Sequence, residues 1–214
     1  MSAAPAFVSV ARRADLPALR LLAADLAVHH PGARLQALLL PGLGPRPRSD
    51  EPFDVVTASD AGLRELGRLL AEAPPAALEA LVRPLALLRV LDTGAPMAVL
   101  LAADSQLLAP LTELTDELEQ ADAVVVPRLL GVLPDDGRRP DAEDLLDHGE
   151  LDEGLVGVRD TPRARGLLDW WIDRARDGAR AAAELQDVPP RALASPLEAG
   201  AHLPAEVRRL LHAG

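Results

Sequence analysis

The chain has 214 residues, 49% of them hydrophobic, which is enough for one domain with a real core. Its 22 basic residues are all Arg and stand against 33 acids, for a net charge of −11, and it has no Cys. These numbers exclude a disulfide framework and a thiolate nucleophile or metal site, and an acidic chain with four aromatic residues has neither the basic stripe nor the stacking platform of a nucleic-acid binder. No apolar run reaches the roughly 20 residues of a membrane span, and Met1 to Ala6 lack a basic-then-apolar leader, so the expectation is a cytoplasmic protein.

In chain order, residues 6–11 (AFVSVA) read as a strand. Residues 15–30 read as a helix with Leu16, Leu19, Leu22 and Leu26 on one face and Asp15 as its N-cap, closed by Pro31-Gly32. LQALLL at 35–40 is a second strand, 41–52 a Pro- and Gly-rich loop, and FDVVT at 53–57 a third strand. Helices are predicted over 60–72 and 76–92, separated by Pro74-Pro75. MAVLLA at 97–102 is apolar throughout, as a strand covered on both faces should be. A helix over 111–120 with Thr112 as cap, a strand at 122–127 and a short strand at 155–158 follow. Thr161-Pro162 opens a helix that runs to about Asp177 and carries Trp170 and Trp171. Adjacent residues on a helix point about 100° apart, so one Trp is expected in the core and the other partly exposed, available as an anchor for homo-oligomerisation. Residues 179–214 read as an Ala- and Pro-rich tail with a short helix at 205–212, beyond a main unit at 1–178.

This alternation predicts an α/β fold: a three-layer sandwich around a mostly parallel central sheet, with the ligand crevice beyond the carboxyl ends of the strands. The residues of interest are then Ala11 to Asp15, Pro41 to Gly44, Ala103 to Gln106, Pro127 onward and Arg159. Asp104, just past the buried strand, stands where a carboxylate could hold a divalent cation or a ribose hydroxyl. The chain contains no GxGxxG, P-loop, GxSxG or HExxH motif, and its five His are scattered. The charge is local: residues 1–100 are balanced, and nine acids lie between Asp135 and Glu153. Such a run is either a solvated surface or an acidic rim for a cation.

Four stretches, 14–40, 51–63, 81–111 and 127–171, resemble the nucleotide-sugar glycosyltransferases of GT-A fold, especially a bacterial glycosyltransferase-like group. They include Leu16-Pro17, His30-Pro31, the helix and strand LVRPLALLRVLDTGAPMAVLLAADSQLLAPL, and LVGVRDTPRARGLLDWW. The resemblance implies a nucleotide-diphosphate sugar donor and an Asp-x-Asp pair holding Mn²⁺ or Mg²⁺ at its diphosphate. It also implies Asp104 as the remaining metal ligand, Arg83 near the phosphates, Asp152 facing the sugar, and Gly154 and Gly157 letting the chain pass close to the donor.

The sequence departs from that pattern. Asp-x-Asp reads Ala102-Ala103-Asp104, a degenerate motif, and Leu151-Asp152-Glu153-Gly154 carries acids where the group has Tyr-Asn-Leu-Gly. The later part of a full-length enzyme, which helps form the acceptor site, has no counterpart. The resemblance therefore implies either sugar transfer from a nucleotide-diphosphate sugar, with Asp152 or Glu153 replacing the lost ligand, or a catalytically inactive relative used for binding or assembly.

Overall fold

A computed structural model describes residues 4–42, 44–57, 73–128, 131, 133 and 151–184, with side chains to residue 180. The helices predicted at 60–72 and 205–212, the acidic 135–150 segment and the tail from 185 lie outside the described residues. Six strands form one sheet: β1 (Ala6–Arg12), β2 (Leu35–Leu40), β3 (Asp54–Thr57), β4 (Met97–Leu101), β5 (Ala123–Pro127) and β6 (Leu151–Arg159). Their order is β3-β2-β1-β4-β6-β5. β1 pairs in parallel with β2 and β4, and β2 with β3. β6 is antiparallel to both β4 and β5, so it alone runs against the other five.

Among the described residues four helices cover the sheet: α1 (Leu16–His29), α2 (Pro75–Asp92), α3 (Thr112–Gln120) and α4 (Pro162–Glu184). Side chains alternate across a strand, so each strand feeds two cores. Val8, Val10, Leu38, Leu40, Ala98, Leu100, Val156 and Val158 pack with α2 and α4 around Leu81, Leu87, Leu91 and Trp171. Phe7, Ala11, Ala37, Leu39, Val99 and Leu101 pack on the other face with α1 and α3 around Leu19, Leu22, Leu26 and Leu118. The three-layer α/β sandwich expected from the alternation is the observed architecture. β4 is buried at every residue, as its unbroken apolar run required.

The details differ in instructive ways. Asp15 precedes α1, but its carboxylate accepts from the Arg12 N–H at 2.8 Å and closes a 3₁₀ turn over Arg13–Asp15 instead of capping the helix. Thr112 lies inside the first turn of α3, with Leu111 before it. Thr161 does cap α4, its Oγ1 accepting from the Ala164 N–H at 3.1 Å and donating to Asp122 Oδ1 at 2.8 Å. That helix continues beyond Asp177 to Glu184. Trp171 is in the core and Trp170 half-buried. β6 starts four residues earlier than the apolar pattern indicates, at Leu151. Its acidic start reads as loop because the strand bulges there: Val125 faces Val156 while Val126 faces Asp152, so residues 153–155 are extra relative to β5.

Candidate functional site at the strand ends

The sheet sends five carboxyl ends and the amino end of β6 to one edge. Parity decides which side chains meet there. Val8 and Val10 face α2, so Arg12, the last residue of β1, emerges on the α2 side. Leu101 faces α1 and α3, so Ala102 turns the other way, toward α2. The Ala102 N–H donates to the Gly154 carbonyl at 2.7 Å, which joins the end of β4 to the start of β6. Asp104 follows in a turn closed by the Ser105 N–H on the Ala102 carbonyl at 3.0 Å, and its side chain is exposed.

α2 passes beneath this edge. Glu79 and Arg83 are one turn apart, the spacing at which helical side chains meet, with N–O 3.7 Å. Arg83 binds Glu153 of β6 through its Nη1. Glu79 binds Arg12 of β1 at 3.2 Å, and Arg12 in turn lies 3.5 Å from Asp15. An ion-pair chain thus runs Asp15–Arg12–Glu79–Arg83–Glu153 across the ends of β1, β4 and β6. Glu153 is its most deeply buried member, with a side chain 2% exposed. Burial pushes the Glu79 carboxyl above the usual range; Arg83 and Arg12 oppose the rise, and Asp15 and Asp104 add to it. Asp104 is therefore within electrostatic reach of the network.

The bulge in β6 separates the two acids that the sequence left equivalent. Glu153 turns inward onto Arg83. Asp152 stays exposed and folds back, its Oδ1 accepting the Gly154 N–H at 2.7 Å. A side chain on Gly154 would put its Cβ 3.0 Å from Asp152 Oδ1 and 3.4 Å from Ala102 Cβ. Asp152 and Ala102 therefore bracket the same bare patch of backbone. The carboxylate beside position 102 is that of Asp152, with Asp104 on the following turn.

Of the residues singled out in the sequence, Arg83, Asp104, Asp152 and Gly154 come to this edge. Arg159 does not, because the antiparallel run of β6 carries it to the opposite edge, beside Met97 and Asp122; nor does Gly157, which is buried in mid-strand opposite Val99 and Val124. A Cβ there would lie 2.7 Å from Leu118 Cδ1, so its bareness serves the packing of α3 on β6. Of the other network members, Arg12 and Asp15 lie within the Ala11–Asp15 stretch expected at the crevice, and Glu79 escapes the reading of the sequence. The Glu79–Arg83 spacing is a readable signal. The reach of Arg12 to Glu79 is not, because it depends on how α2 crosses β1.

Among the described residues no group of three or more His, Asp or Glu converges as a metal cage. Mg²⁺ and Mn²⁺ need less than that, since one or two carboxylates suffice when water and phosphate oxygens complete the sphere. Asp104 and Asp152, both exposed, meet that requirement in kind.

No family model matches the chain, and no curated protein matches it. Among solved structures it is similar to the galactosyltransferase LgtC in complex with donor and acceptor sugar analogues, at 11% identity and TM-score 0.43, over 87% of this chain and 68% of that one. An active-site mutant of LgtC gives 12% identity and TM-score 0.46 over 87% and 68%. The bifunctional glycosyltransferase WbbM gives 12% and 0.42 over 84% of this chain and 34% of its own.

Proposed function

We propose that the chain is a glycosyltransferase-like protein that takes a nucleoside-diphosphate sugar across the strand ends and transfers its sugar. The observation that carries this reading is the position of Asp152. It is held by Gly154 beside Ala102, where a second carboxylate would be needed to share a cation with Asp104. A bound Mn²⁺ or Mg²⁺ would neutralise charge on a diphosphate leaving group. The chain's own residues do the rest. Gly154 leaves the backbone bare for a close approach. Arg12, half exposed, offers a cation at the end of β1. Arg83, committed to Glu153, acts from below by orienting the start of β6.

The charge balance of the edge favours a metal-loaded ligand over a bare one. Asp15, Glu79, Asp104, Asp152 and Glu153 face Arg12 and Arg83, with Arg128 at the end of β5. A free diphosphate would meet net negative charge, and like charges about 4 Å apart repel by roughly 1 kcal/mol in water and severalfold more in a partly dry cleft. The same balance favours a second reading, an inactive relative that keeps the scaffold for binding or assembly. Calorimetric titration of UDP and GDP with and without Mn²⁺ separates the two. Metal-dependent binding abolished by Asp104→Ala or Asp152→Ala supports transfer. No heat at millimolar nucleotide removes it.

A further inference from the structure

The three most exposed large apolar side chains among the described residues, Leu21 at 69%, Val28 at 71% and Leu108 at 81%, lie on α1 or on the loop bonded to it. Leu21 and Val28 stand two turns apart on α1. Leu108 is set beside that helix by its neighbour Leu107, whose N–H donates to Asp25 Oδ2 at 3.2 Å. The inner face of α1 is spent on the core through Leu16, Leu19, Leu22, Ala23 and Leu26. Its outer face carries a second apolar stripe, Pro17, Leu21, Ala24 and Val28, all exposed. Those spacings are the alternating four and three of a heptad seam, and no charged residue interrupts it.

The charges lie on its two flanks and have opposite sign. With Leu21 and Val28 at a positions and Pro17 and Ala24 at d, Arg20 takes g and Asp25 takes e. In a parallel helix pair the g residue of one chain faces the e residue five positions on in the other. Two copies of α1 side by side would then bring Arg20 against Asp25 twice, once in each direction across a two-fold axis. An antiparallel pair would set like charges on the same flank. Arg20 holds Glu51 through Nε and Nη2 at 2.9 and 2.7 Å, so its Nη1 is not used in that pair. We propose that the outer face of α1 is a self-association surface that pairs in parallel with α1 of a second copy. This is independent of the donor-site reading, since the face lies on the opposite side of the sheet from α2.

A seam of this length is small beside standard interfaces, so the dimer is expected to be weak, with a Kd on the order of 10–100 μM. Sedimentation of the full chain from about 5 to about 500 μM spans that range and should show the mass doubling. Leu21→Glu, at an exposed position, should keep the circular dichroism spectrum and hold the chain monomeric. The absence of native Cys makes orientation testable. Ala24→Cys should cross-link to itself under mild oxidation, because a parallel two-fold axis sets residue 24 against its own copy. Glu119→Cys, on an exposed part of α3, should not. A chain monomeric at the highest concentration overturns the proposal, as does a dimer insensitive to Leu21→Glu. A dimer in which Ala24→Cys cross-links no faster than Glu119→Cys overturns the parallel pairing.

Discussion

Removing the guanidinium of Arg83 while keeping most of its apolar stem tests whether the ion-pair chain holds the strand ends together. Arg83→Met deprives Glu153 of the guanidinium it meets in the buried wall of the crevice. Breaking a buried pair from one side costs roughly 3–5 kcal/mol, because the remaining charge stays desolvated. Arg83 is 23% exposed, so water reaches part of the site and the lower end of that range, about 3 kcal/mol, is expected. In a chain of this length that lowers Tm by about 6–12 °C at pH 7. Adding Glu153→Leu to Arg83→Met should recover most of the loss, as an apolar pair of similar volume often replaces a buried ion pair without cost. Urea unfolding of the four forms of this cycle gives the coupling directly. A coupling under about 0.5 kcal/mol, or an Arg83→Met variant as stable as the parent, would refute the reasoning.

Other perturbations probe separate parts of the molecule. Gly157→Ala should cost about 1–3 kcal/mol by pressing on Leu118 and Leu114 while leaving any nucleotide affinity unchanged, read by thermal unfolding and calorimetry. Arg20 and the Arg48 N–H hold the Glu51 carboxyl down at about 2, against an ordinary value of 4.5. A depressed carboxylate contributes stability that is complete above its unfolded pKa and is lost as pH falls through the folded one. Urea midpoints should therefore drop between about pH 4.5 and 2 more steeply in the parent than in Glu51→Gln. Ala102→Asp would put a third carboxylate beside Asp152 and Asp104. If the edge takes a cation, Mn²⁺-dependent nucleotide affinity rises about tenfold or more; a variant destabilised by about 1–3 kcal/mol that Mn²⁺ and UDP cannot rescue would argue against a donor site.

The strands and helices were readable because their apolar spacing is strong and their ends carry Pro, Gly or a hydroxyl. Thr161-Pro162 and the uninterrupted MAVLL are the clearest examples. β6 was readable only over its apolar half: a bulge lets Asp152 and Glu153 sit in a strand without obeying its alternation. For the same reason the different fates of these two acids could not be inferred from spacing. Asp104 was singled out through its position after a strand end, and Gly154 through the family resemblance. The same resemblance named Gly157, which does not share the place of Gly154, because a bare Cα accommodates a packed Leu as well as a ligand. The cap expected at Asp15 failed through competition, since its carboxylate finds the Arg12 N–H first.

The reversed direction of β6 has a consequence for the acidic segment before it. β5 leaves the sheet at the crevice edge, and β6 returns to the same edge, with Pro127 opposite Leu151 and Arg128 Nε on the Leu151 carbonyl at 3.2 Å. The intervening 22 residues carry seven acids and two Arg and are moored at both ends to the rim. At full extension such a tether reaches no farther than about 35–40 Å from its moorings, whatever path it takes. The tether confines its five excess negative charges to that radius of the strand ends, where they would compete for cations and form a barrier to anions. Raising ionic strength would screen that barrier, giving an anionic ligand an unusual salt response in which added salt assists its entry.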